Sequence, residues 1–124
     1  MLTTRTKYGN RRVSEDGYTF DSIAELAEYR NLRLLELAGE ISELEVHPRF
    51  ELLPQYKDPT TGKRERAIYY EADFSFREPF SPGDRWSRTV VLDVKGFETA
   101  TWRLKRRLFL NRYRFPTYEL RVLK

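Results

Sequence analysis

The stretch Val90-Val91-Leu92-Asp93-Val94-Lys95-Gly96 constrains the fold more than any other part of the chain. A near-continuous apolar run closed by glycine is the pattern of a strand buried on both faces, and such a strand needs layers of structure above and below it. Ala67 to Phe76 alternates instead. Ile68, Tyr70, Ala72, Phe74 and Phe76 fall on one face, and Tyr69, Glu71, Asp73 and Ser75 on the other.

Two helices are predicted beside these strands. Ser22-Ile23-Ala24-Glu25 is a capping-box pattern, so a helix should start there and run to about Ala38, where Gly39 stops it. Ile23, Leu26, Ala27, Leu34 and Leu37 form its apolar stripe, with Arg30 in the middle having to snorkel or pair. Thr99 caps a second helix through about Tyr113, and Pro116 separates it from a last strand, Tyr118 to Leu123. Ala100, Leu104 and Leu108 mark one face of that helix, and Trp102, Phe109 and Tyr113 nearly the opposite one. One face should cover the sheet; the other is open to the N-terminal hairpin, a second subunit or stacked bases.

Elsewhere, Asp16-Gly17 marks a two-residue turn in a hairpin over Arg11 to Phe20. Ile41 to Leu53 reads as short extended pieces around His47-Pro48, with the proline at a sheet edge or strand start. Residues 57–63 and 79–84 are loops by composition. Residues 1–10 read as a basic flexible arm and residues 11–124 as a single domain. The expected fold is α/β: a mixed central sheet flanked by helices, in the order hairpin, α, β, β, β, α, β.

Composition narrows the chemistry. The 124 residues contain no cysteine and one histidine, which removes thiolate metal sites, disulfides and cysteine nucleophiles and makes histidine-rich sites or a Ser-His-Asp triad poor readings. A metal here would be a hard cation on carboxylates, such as Mg²⁺. No apolar run approaches the roughly 20 residues of a membrane span. Met1 to Arg5 lacks a signal-peptide stretch, so no membrane partner and a location inside the cell are expected. The net charge is +4, and its basic excess gathers near the C-terminus, where Arg103, Lys105, Arg106, Arg107, Arg112, Arg114, Arg121 and Lys124 face only Glu119. A polyanion is the natural partner, with solvated helix residues as the plain alternative.

Asp73 on one strand and Asp93 with Lys95 at the end of the next bring two carboxylates and an ammonium together, since residues two apart share a strand face. Phosphodiester hydrolysis needs such a set: carboxylates to hold Mg²⁺, and a lysine to position water or offset developing charge. Gly96 lets a phosphate backbone approach closely. The plain alternative is a surface ion pair worth little.

Asp73, then Asp93-Val94-Lys95 some twenty residues later, preceded by a helical Glu25 within α-β-β-β-α-β, resembles the PD-(D/E)XK nuclease superfamily, whose core is the restriction-endonuclease-like fold. Lys7-Tyr8-Gly9-Asn10, Asp16-Gly17, Phe20-Asp21-Ser22, Glu25, Pro48-Arg49-Phe50-Glu51-Leu52, Ala72-Asp73-Phe74 and Asp93-Val94-Lys95-Gly96 together look like a phage and prophage family often compared with Holliday-junction resolvases.

The resemblance implies that Asp73, Asp93 and the Val94 carbonyl hold the metal, Mg²⁺ with Mn²⁺ able to substitute, that Lys95 is the catalytic lysine, and that Glu25 assists. From the residues alone Glu25 reads first as a capping-box member, and His47 as a polar edge residue rather than a general base. Ala72 stands where the superfamily's first motif has its proline, and His47 where related sequences carry Gln. The implied activity is an endodeoxyribonuclease leaving a 5′-phosphate and a 3′-hydroxyl, acting on duplex or branched DNA in the cytoplasm of a bacterial host. Lys7, Arg11, Arg12, Gly96, Arg103, Lys105, Arg106 and Arg107 are expected to follow phosphates, with a homodimer as a candidate form. The alternative function is a catalytically inactive nucleic-acid-binding module of the same fold. Replacing Asp93 by Ala is expected to abolish cleavage and leave folding largely intact.

Overall fold

The structure is a computed structural model that describes residues 3–5 and 11–124, with side chains from residue 12 onward. In chain order the elements are β1 (Thr3–Arg5), β2 (Arg11–Glu15), β3 (Tyr18–Phe20), α1 (Ile23–Leu37), β4 (Ser42–Val46), β5 (Arg49–Leu53), β6 (Tyr56–Lys57), β7 (Arg64–Glu65), β8 (Ile68–Glu71), β9 (Phe74–Pro79), β10 (Ser87–Val94), α2 (Ala100–Arg112) and β11 (Tyr118–Leu123). The fold is mixed α/β. Its main sheet has the order β11-β10-β9-β4, with β10 antiparallel to β9 and parallel to β11, the connection between the last two being α2.

The central position of β10 follows from its sequence. Val90 and Leu92 face α1, packing with Leu26, Tyr29, Leu32, Phe20, Phe74 and Phe76, while Val91 faces α2 with Tyr70, Ala72, Trp102 and Phe109. The sheet therefore has an apolar layer on each side, as a two-sided run requires. Asp93 follows Val91 onto the α2 side and carries a carboxylate into that layer.

The alternating stretch does not form one strand. It breaks at Ala72-Asp73 into β8, paired with β5 in a separate two-stranded sheet, and β9 in the main sheet. Tyr70 and Ala72 pack toward α2, whereas Phe74 and Phe76 pack toward α1, so the one-face expectation fails at the break. The chain opposite breaks too, at His47-Pro48. His47 N–H donates to the Asp73 carbonyl at 2.9 Å and Ala72 N–H donates to the Pro48 carbonyl at 3.0 Å, bridging the paired breaks. Pro48 has no N–H to continue a ladder. Two pieces absent from the sequence reading, β6 and β7, pair as a small hairpin beyond β5 and β8.

The helices start where expected. Ser22 Oγ accepts the Glu25 N–H at 3.1 Å, and Thr99 Oγ1 accepts the Trp102 N–H at 3.0 Å. The apolar stripe of α1 differs from expectation: Glu25, Leu26, Tyr29 and Leu32 are buried, while Ile23, Leu34 and Leu37 are exposed. The main sheet and the hairpin both pack against this face, with Tyr29 hydroxyl donating to Asp16 at 2.7 Å and Arg30 pairing with Glu15 at 2.6 Å. On α2 the aromatic face covers the sheet and Leu104 and Leu108 point outward. Phe109 is fully buried and Trp102 nearly so, which removes them as platforms for stacked bases.

Asp16 and Gly17 both have positive φ, as the two central residues of a tight hairpin turn must. Thr3–Arg5 pairs with β2 as a third strand, which revises the arm reading at those three positions; the remainder of that arm lies outside the described residues. Among the described residues, no helix is long and apolar enough to cross a membrane.

Candidate active site

Four elements converge at the end of β10. The two strand breaks supply His47 and Asp73, the first turn of α1 supplies Glu25, and β10 with the residue after it supplies Asp93 and Lys95. Asp73 sits in the gap between β8 and β9, where its carboxylate is free to turn along the neighbouring strand. Its Oδ2 accepts the Val94 N–H at 2.7 Å, and its own N–H donates to Asp93 Oδ1 at 2.9 Å.

Asp93 is fully buried, and its remaining oxygen is engaged as well. Asp93 Oδ2 accepts from the Tyr70 hydroxyl and from Trp102 Nε1 at 2.9 Å. These donors satisfy a buried carboxyl group whose oxygens would be very costly to leave unpaired. Burial and the adjacent Asp93 charge push the Tyr70 hydroxyl pKa upward, so it stays a donor. Tyr70 and Trp102 were missed as site residues because aromatic spacing reads first as core. The signal available in the sequence was a buried-strand aspartate, which needs donors from its surroundings.

Glu25 is buried on α1, and its Oε1 has no hydrogen-bond partner. Burial pushes its pKa up to about 8, with the Asp73 and Asp21 charges adding to the rise and Lys95 opposing it. Asp73 rises to about 6, mainly by burial, against the pull of the Val94 N–H, Lys95 and His47. Two carboxyls that resist ionising side by side form a site short of positive charge. Lys95 supplies part of it, its Nζ lying 5.6 Å from the centre of the Trp102 ring.

An orphaned buried carboxylate oxygen beside a second carboxylate with raised proton affinity is a donor set that a divalent cation fits. The ligand atoms that lie within 4.8 Å of one another belong to Glu25, His47 and Asp73. Asp93 adjoins this group, yet both its oxygens are turned to protein donors, and Val94 takes part through its N–H, donated to Asp73 Oδ2, rather than through its carbonyl. Sequence reasoning set His47 aside. One histidine before a proline carries no periodic signal, and only the paired strand breaks bring it here.

The basic residues divide between two surfaces. Arg103, Arg106 and Arg107 share one face of α2 and line a depression with Glu98, Trp102, Val122 and Lys124, so this basic surface adjoins the site through Trp102. Lys105 lies on another side with Arg49 and Tyr69. Arg12 is exposed and pairs with Asp21 at 3.4 Å. Arg11 is described only as a backbone position of β2, and Lys7 lies outside the described residues. A Cβ added at Gly96 would meet nothing within 4 Å, so the backbone there is open to approach and the protein's own packing does not require glycine.

No curated protein and no solved structure matches the chain. A family model described as a protein of unknown function (DUF1064) matches residues 5–124. With nearly the whole length matched, the chain belongs to the DUF1064 family.

Proposed function

We propose that this protein is a divalent-metal-dependent endodeoxyribonuclease of the PD-(D/E)XK type, working in the cytoplasm of a bacterial host of a phage or prophage. The observation that carries the reading is the convergence of Glu25, Asp73, Asp93 and Lys95 at the end of the central strand, beside a basic surface. The succession of α1, β4, β9, β10, α2 and β11 agrees with the αβββαβ core that this reading calls for.

A divalent ion, Mg²⁺ or Mn²⁺, when bound, supplies a polarised phosphate and a water of lowered pKa. Asp73 and Glu25 offer the oxygens to hold it. Lys95 places a positive charge where the phosphate gains negative charge, and Asp93 keeps Asp73 in position. Arg103, Arg106 and Arg107 offer contacts to phosphates without reading bases, which suits recognition of duplex or branched DNA by shape. Cutting a four-way junction on opposite strands needs two such sites, hence a homodimer.

The test is cleavage of supercoiled plasmid, linear duplex, single strand and four-way junction with Mg²⁺, with Mn²⁺ and with EDTA. Metal-dependent cutting that Lys95→Ala loses is the expected result. Salt-sensitive binding without cutting under any metal overturns it in favour of a catalytically inactive DNA-binding module. The full engagement of Asp93 by protein donors is the observation that favours that second reading.

A further inference from the structure

The ion suited to this site follows from its donor atoms. His47 is one of the few non-glycine residues with positive φ, at 55°. Histidine does not adopt this conformation without cost, and such strain persists only where the surroundings hold it. Here they do: the His47 N–H is bonded to the Asp73 carbonyl, and the next residue's carbonyl accepts the Ala72 N–H. The effect is to bring His47 Nε2 to 3.8 Å from Glu25 Oε1.

That distance is too long for a hydrogen bond, and Glu25 Oε1 is left buried without a partner. It lies within the span of about 3 to 4 Å expected of two ligands on one ion. Glu25 is more than nine-tenths buried and His47 is half-buried, so the site is built into the protein rather than spread on its surface. Asp93, the other adjacent carboxylate, has given its oxygens to the Asp73 N–H, Tyr70 and Trp102. The third ligand atom near Glu25 and Asp73 is therefore an imidazole nitrogen.

We propose that Glu25, His47 and Asp73 form a mixed nitrogen and oxygen site that prefers a first-row transition-metal ion to Mg²⁺ or Ca²⁺. Hard cations favour oxygen ligands throughout, whereas imidazole nitrogen shifts preference toward the transition series. The inference rests on the nuclease reading for what the ion does, but not for which ion is held.

The experiment uses the full chain without a histidine tag and without DNA, and Mn²⁺ as probe. Calorimetric titration should give one Mn²⁺ bound more tightly than Mg²⁺, and pulsed EPR should show the nitrogen modulation of a directly bound imidazole. His47→Asn, whose side chain tolerates positive φ, should abolish that modulation and weaken Mn²⁺ by about tenfold or more while changing Mg²⁺ little. Bound Mn²⁺ without a nitrogen signal, no Mn²⁺ binding, or equal loss of both ions in the variant overturns the inference. A nitrogen signal in a protein that cuts nothing leaves this site standing and removes the nuclease reading alone.

Discussion

Asp73 and Asp93 hold each other in place across neighbouring strands: the Asp73 N–H donates to Asp93 Oδ1 at 2.9 Å, while Asp73 Oδ2 takes the Val94 N–H at 2.7 Å. The pair thus locks the end of β10 to the break before β9. The two carboxylates, alike in the sequence, have different surroundings and different work.

Asp93→Ala leaves the Asp73 N–H, the Tyr70 hydroxyl and Trp102 Nε1 without their acceptor inside the protein. The cost should be about 3 to 5 kcal/mol, as for breaking a buried charged network. Urea unfolding of the variant reads it. This revises the expectation that the substitution spares folding, and stability near wild type would refute the anchoring role.

Tyr70→Phe removes one donor and keeps the ring, so it should cost about 1 to 3 kcal/mol. Urea unfolding of the variant measures that cost. Unchanged stability would mean the Tyr70 hydroxyl makes no net hydrogen bond to Asp93 in solution.

Stability of the metal-free protein should fall as pH rises. Glu25 titrates near 8 folded against 4.5 unfolded, so between those values the folded state binds more protons and loses stability with increasing pH. Asp73, near 6 folded against 3.8, adds to the loss at the acid end. Melting temperatures in EDTA from pH 4.5 to 9 should decline, and Glu25→Gln should flatten the decline above pH 6. A divalent cation should recover the loss by taking the place of the proton.

Arg103, Arg106 and Arg107, replaced together by Gln, should lower DNA affinity and reduce its salt dependence by about 0.9 in log-log slope for each phosphate that the variant no longer neutralises. Fluorescence anisotropy at several salt concentrations measures this. An unchanged slope would place the DNA elsewhere.

Much of the frame is legible in the sequence because it rests on local rules. The capped starts of α1 and α2, the Asp16-Gly17 turn and the two-sided burial of Val90 to Leu92 each follow from a few neighbouring residues. The placement of Asp93 and Lys95 at one strand end is legible too, since residues two apart share a strand face, whereas Asp73 joins them from the break between β8 and β9.

Tertiary structure decided the rest, because it depends on which surfaces meet. The face of α1 that is buried was decided by the main sheet and the hairpin that pack against it together. Tyr70 and Trp102 became partners of Asp93 only when β8 and α2 covered the same side of β10. His47 reached the site through hydrogen bonds bridging two breaks that lie far apart in the chain. Local patterns set what each segment can be; what a buried carboxylate binds depends on the donors and acceptors that folding brings within a few ångströms of it.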